Sequence, residues 1–355
     1  MPERRGTRLR SGMQSDASTS PRRRSTSCYS DSGDSSCSEP FSECGSDDLS
    51  FTPAAAAGIH RLLLSCAAEA SEDAISSLMA ELESPAPSLD SLRRAAMELR
   101  LLAKHNPDNR VRIAKAGGVR PLVKLLSHAD PLLQEHGVTA LLNLSLCDEN
   151  KATIVEAGAI RPLVQALKSA ASPAARENAA CALLRLSQLD GAAAAAIGRA
   201  GAIPLLVSLL ETGGPRGKKD AATAIFNLVL TPQNKARATQ AGIVPALLRV
   251  MDDRGLGMVD EALSIFLLLS SHAACRAEIG TTAFVEKLVR LIKDGTPKNK
   301  ECALSVLLEL GTNSKPLLVH GLRFGLHEDL SKIAKNGTSR AQRKANSLIK
   351  LARKC

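Results

Sequence analysis

Apolar residues recur along this chain at helical spacing, and the pattern itself repeats. The run Leu122-Val123-Lys124-Leu125-Leu126 returns as similar runs at residues 163–167, 206–210, 247–251 and 288–292. Each of the first four follows an Ala-Gly pair, Ala116-Gly117, Ala157-Gly158, Ala200-Gly201 and Ala241-Gly242, whose glycines lie 41, 43 and 41 residues apart. A repeat of this length predicts stacked two- or three-helix units that share one continuous core. The punctuation has a physical cause. Glycine just past a helix takes the left-handed conformation that ends it, and Pro121, Pro162, Pro204 and Pro245 suit the first turn of the helix that follows.

A third helix completes each unit, predicted over residues 134–144, 176–186, 218–228, 259–269 and 300–310, with weaker copies at 92–101 and 342–351. This predicts an all-α, right-handed solenoid of about seven three-helix repeats over residues 59–355. The units fall near 59–104, 105–147, 148–189, 190–231, 232–272, 273–312 and 313–355. Composition fits such a core: Trp 0, Tyr 1 and Phe 6 leave Leu, Ala, Val and Ile to fill it.

Residues 1–58 differ in kind. They are rich in Ser, Arg, Asp and Gly and poor in aliphatic residues, which predicts a disordered tail. Arg22-Arg23-Arg24 places Ser25 and Ser27 in a basophilic-kinase context. A plain solvated linker is the competing reading. No secretory leader, Cys-x-x-Cys pair or run of 18 apolar residues occurs, so the expected setting is a reducing one, cytoplasm or nucleus, without a transmembrane segment.

Candidate chemistry changes little. The seven histidines show no metal-binding spacing, and Gly213-Gly214-Pro215-Arg216-Gly217-Lys218-Lys219 fails as a phosphate loop because no Ser or Thr follows Lys218. No catalytic, cofactor or metal site is predicted. The net charge of +10 raises a nucleic-acid reading, but 2% aromatic residues and no recognised module argue against it.

The candidate site is a stripe. Positions i, i+4 and i+8 lie along one face of a helix. In successive third helices they read Glu135-Thr139-Asn143, Glu177-Cys181-Arg185, Lys219-Thr223-Asn227, Asp260-Ser264-Leu268 and Glu301-Ser305-Glu309. Stacked side by side, about 10 Å apart, such stripes form a ladder of donors and acceptors suited to an extended peptide. The partner-binding candidates are Glu135, Thr139, Asn143, Glu177, Arg185, Lys219, Thr223, Asn227, Asp260, Ser264, Glu301 and Glu309. Two alternatives stay open: a merely solvated face, and asparagines that bridge neighbouring repeats.

The motifs Thr139-Ala140-Leu141-Leu142-Asn143-Leu144, Asp148-Glu149-Asn150-Lys151, Arg176-Glu177-Asn178-Ala179-Ala180 and above all Arg216-Gly217-Lys218-Lys219-Asp220-Ala221-Ala222-Thr223-Ala224-Ile225-Phe226-Asn227-Leu228 resemble the armadillo region of plant U-box E3 ubiquitin ligases. The resemblance, over about 93–351, implies a superhelix whose third helices line a concave groove that binds proteins, among them ubiquitination substrates or ligase partners. In those ligases a U-box precedes the repeats and recruits the E2 enzyme. No segment of this sequence matches one, so a non-catalytic scaffold or adaptor is expected, with a substrate-recognition part of a ligase as the alternative. Importin-alpha-like receptors place Trp four residues before the groove Asn. Here Thr139, Cys181 and Thr223 stand at those positions.

Overall fold

A computed structural model describes residues 69–170, 172–253 and 255–354. The expected tail, with Ser25 and Ser27, lies outside them. Every regular element among the described residues is a helix. A leading pair, α1 (Glu72–Glu83) and α2 (Leu89–His105), is followed by triplets: α3 (Pro107–Lys115), α4 (Val119–Leu125) and α5 (Pro131–Leu144); α6 (Asp148–Glu156), α7 (Ile160–Ser169) and α8 (Pro173–Ser187). Then come α9 (Gly191–Arg199), α10 (Ala202–Thr212) and α11 (Pro215–Val229); α12 (Pro232–Gln240), α13 (Ile243–Asp252) and α14 (Val259–Ser270); α15 (Ala273–Ile279), α16 (Thr282–Asp294) and α17 (Pro297–Asn313). The last set is α18 (Lys315–Gly321), a π-helical turn (Leu322–Leu326), α19 (His327–Asn336) and α20 (Ser339–Ala352).

The corners form as the sequence predicts. Gly117, Gly158, Gly201 and Gly242 have φ of 88°, 80°, 86° and 77°, a region costly for residues with a Cβ. The fifth corner departs from this. Gly280 there has φ −74° and Thr281 caps α16 instead, accepting a hydrogen bond from the Phe284 amide. Third helices begin on a cap followed by proline in Asp130-Pro131, Ser172-Pro173, Gly214-Pro215 and Thr296-Pro297.

Apolar residues from Ile75 to Leu348 form one continuous core. Each third helix packs on the third helix of the unit before it, and on the second helix of its own unit. Leu141, Leu183, Ile225, Phe266 and Leu307, one from each of five successive third helices, are buried, and Phe266 meets the Phe284 ring at a centroid distance of 4.6 Å. No single helix among the described residues is long and apolar enough to cross a membrane.

Polar clamps lock the seams between units. The Asn150 side chain, buried in α6, donates to two carbonyls at 3.0 Å: Leu144 O at the end of α5 and Arg110 O in the preceding first helix. Asn234 in α12 repeats this on Leu228 O and Ala194 O, again at 3.0 Å. In α3, Asn109 accepts from the Ala70 amide at 2.9 Å. Cys275 takes the corresponding place in α15, its thiol facing Lys235 O at 3.6 Å. At the ends of α5 and α11 the asparagines add a second donor to carbonyls that the Cys147 and Thr231 amides also reach, and they tie those ends to the preceding first helix.

Asn150→Ala removes two hydrogen bonds at a buried seam. It is expected to lower unfolding free energy by about 2–3 kcal/mol, read as a shift in the urea midpoint. An unchanged midpoint contradicts the clamp.

Candidate functional site

The third helices α2, α5, α8, α11, α14, α17 and α20 lie side by side, and the stripe residues sit at their seams. The structure divides those residues into groups with internal partners and groups without.

The first stripe position reaches the start of the next third helix. Arg93 of α2 meets the cap of α5 in a two-pronged contact, its Nε and Nη2 donating to Asp130 Oδ1 and Oδ2 at 3.3 and 2.5 Å. Glu135 accepts from the Ser172 hydroxyl, the cap of α8, at 2.8 Å. Glu177 accepts from the Gly214 amide, the cap of α11, at 3.1 Å. Asp260 accepts from Asn299, which closes the capping box of α17 with Thr296. Glu301 accepts from the Thr338 hydroxyl, the cap of α20. A carboxylate beside a helix N-terminus is favoured by the dipole and by the free amides there.

Glu135, Glu177, Asp260 and Glu301, read from sequence as partner-binding groups, therefore have partners inside the stack. A stripe shows which face a residue occupies, and these side chains lean toward the neighbouring helix. Gly217 belongs to this contact: a Cβ there would lie 2.5 Å from Glu177 Oε1. In the Arg216-Gly217-Lys218-Lys219 block the glycine makes room for the preceding repeat's acid.

Deeper positions are also engaged. Thr139 is 6% exposed and accepts from Asn178 Nδ2 at 3.0 Å, while Asn143, 2% exposed, donates to Arg100 O at 3.1 Å. Asn143 thus takes the bridging alternative. The equivalent pair one unit on is Cys181 with Asp220, where burial pushes the Cys181 thiol up to about 12 and raises the Asp220 carboxyl. Ser264 Oγ donates to Asp260 O, and Glu309 accepts from the Asn313 amide at 3.3 Å.

Three stripe residues carry side-chain polar atoms without a hydrogen-bond partner among the described residues. Lys219 is exposed, and its side chain makes no hydrogen bond or ion pair among the described residues. Asn227 Nδ2 and Arg185 Nε are buried atoms with no hydrogen-bond partner. Thr223, between Lys219 and Asn227, bonds its own helix at Lys219 O, 2.9 Å away. Beyond Asn227, Leu230 is 56% exposed, and Phe226, Leu267 and Leu268 are half-buried nearby in sequence on α11 and α14. Arg185 acts on its surroundings: the Asp148 carboxyl is held below its usual range first by Lys151, 2.6 Å away, and further by Arg185. Asp148, Lys151, Gln188 and Leu189 line a cavity of about 450 Å³ past the end of α8. No cluster of three metal-binding side chains occurs among the described residues.

Residues 72–355 match the model of the plant U-box protein ARM repeat region. The chain belongs to this family. It is 55% identical over 257 residues to U-box domain-containing protein 13 of Arabidopsis thaliana, covering 72% of this chain and 39% of that protein. It is 52% identical over 259 residues to U-box domain-containing protein 14 of the same plant, covering 73% and 41%. This plant ARM chain thus spans about two-fifths of those relatives' length. An engineered protein of known structure superposes with TM-score 0.67 at 26% identity, over 79% of this chain and 68% of that one. A structure from work on a phosphorylation switch in the cadherin and beta-catenin interaction reaches TM-score 0.72 at 19% identity, over 87% and 59%. The armadillo fold expected from sequence is the fold of this chain.

The Arg93 contact holds the Asp130 carboxyl at about 2, below its ordinary 3.8, with the Leu133 amide adding to the effect. A depressed folded-state pKa gives stability that is present above the unfolded value and lost as pH falls toward the folded one. Stability supplied by this seam is therefore expected to fade between about pH 4 and pH 2. The Asp130→Asn variant, followed by thermal melts at stepped pH, should show a shallower acid limb than the parent. Equal slopes contradict the coupling.

Proposed function

We propose that this plant ARM array is a non-catalytic scaffold holding an extended segment of another protein across its third helices. The observation that carries the reading is the pair Asn227 Nδ2 and Arg185 Nε. Both are polar atoms in the third-helix layer, removed from solvent without a protein partner. A buried donor without an acceptor is costly, and a peptide backbone or side chain laid along the layer supplies acceptors. The partly exposed apolar residues Phe226, Leu230, Leu267 and Leu268 offer the contact area a bound segment needs.

The test uses 12-residue peptides selected by display on the full chain. Their affinity is expected to fall about tenfold or more on the Arg185→Ala/Asn227→Ala double variant, consistent with one to two lost hydrogen bonds. The melting midpoint should stay within about 2 °C of the parent, because Asn227 Nδ2 and Arg185 Nε make no hydrogen bond inside the stack. Asn143→Ala, which removes an internal bond, should lower the midpoint instead. Peptides that bind the double variant as tightly as the parent overturn the reading.

A finer reading places the array in ubiquitination, as the substrate-recognition part of a ligase whose E2-binding domain another polypeptide provides. Its support is the family and the U-box domain-containing relatives. On this reading the 355-residue chain is an adaptor of cytoplasm or nucleus, and the purified chain with E1, a panel of E2 enzymes and ATP is expected to form no ubiquitin chains. Autoubiquitination by the isolated chain, read on an immunoblot, contradicts it.

A further inference from the structure

Of the six seams between neighbouring third helices, five carry the tie from the first stripe position to the start of the next helix: Arg93, Glu135, Glu177, Asp260 and Glu301 each make it. The α11–α14 seam does not. There the position is Lys219, and α14 begins at Met258 with no side-chain cap, whereas α5, α8, α17 and α20 each have one. A second rung fails at the same seam. Asn178 reaches Thr139 and Asp220 pairs with Cys181 across the two preceding seams. In the matching register Thr223 has turned onto Lys219 O, and Glu261 Oε2 is buried without a partner.

This break is chemically specific. Lysine stands here before a helix without a side-chain cap, whereas at α11, which also lacks one, Glu177 accepts from the cap amide. Lys219 is exposed, and Lys218 beside it has no ion pair among the described residues. Asp260 and Glu261, in the first turn of α14, offset its dipole but do not cap it, and Asp260 is held by Asn299 and Lys298 of the following unit. Lys219, Thr223 and Asn227 share one face of α11, and Leu230 just past its end continues the line to about 16 Å, running from a free cation through an unpartnered amide to an exposed leucine.

We infer that the α11–α14 seam is the charge-reading point of the groove, where a carboxylate side chain of an extended, acidic and apolar partner segment takes the place that Glu135, Glu177, Asp260 and Glu301 hold at other seams. The carboxylate lies between the Lys219 ammonium and the first-turn amides of α14, and the partner closes the open rung. This inference rests on the groove reading proposed above and adds the partner's chemistry.

Two variants test it in the full chain. Lys219→Glu restores the acid seen at neighbouring seams, and Lys219→Gln restores an acceptor without the charge. The probes are three fluorescein-labelled 12-residue peptides: one of Asp, Glu and Leu, the same peptide with Asn and Gln for the acids, and one with Lys for the acids. At low salt the parent should bind the acidic peptide at least tenfold more tightly than its amide analogue. Both variants should lose that preference, and each should raise the melting midpoint by about 1–3 °C, because the new side chain caps α14. A plain surface lysine that merely attracts acids would lower affinity on mutation without raising the midpoint, and that result overturns the proposal. Retained acid preference in the variants, or tighter binding of the basic peptide, also overturns it while leaving the groove reading intact. Binding of none of the peptides, with midpoints unmoved, overturns both.

Discussion

A triplet of short helices in this chain does not enclose its own core. Each third helix buries one flank against its own second helix and the other against the third helix of the next unit, so burial is completed only by stacking. Hydrophobic attraction alone would let such units slide or rotate. What fixes their register is the pairing of polar groups at every seam, since a buried donor or acceptor left alone costs more than the bond itself yields in water. Asn150 and Asn234 act from the first helices, and Glu135, Glu177, Asp260 and Glu301 from the third.

Much of this architecture is legible in the sequence. The Ala-Gly corners, the prolines behind them and the apolar runs locate the first and second helices, because they report local backbone conformation. The candidate site was legible only in part. The i, i+4, i+8 stripe finds the correct face, yet it cannot tell Asn143, bonded to Arg100 O, from Asn227, whose amide is unpaired, although the two occupy the same register. The difference depends on a carbonyl in another repeat. The sequence does carry a signal of the difference: Glu135, Glu177 and Glu301 are each followed 37 residues later by a capping Ser172, Gly214 or Thr338, and Lys219 by Leu256.

The last unit shows where periodicity stops helping. Gly325, at φ 99°, interrupts the π-helical turn between α18 and α19, and the neighbouring Phe324 ring lies under Arg290 at 5.5 Å.

The seam bonds join residues 37 to 43 apart, each within reach of one neighbour only. Mechanical load along such an array passes through every seam in series, as through links in a chain, and no long-range bond among these shares it. The links are uneven in kind: where α11 meets α14 no tie joins the third helices, and the two units are held by apolar packing, the Asn234 clamp and the Arg249–Glu211 ion pair. Anything that closes the open rung adds a link in parallel with these two.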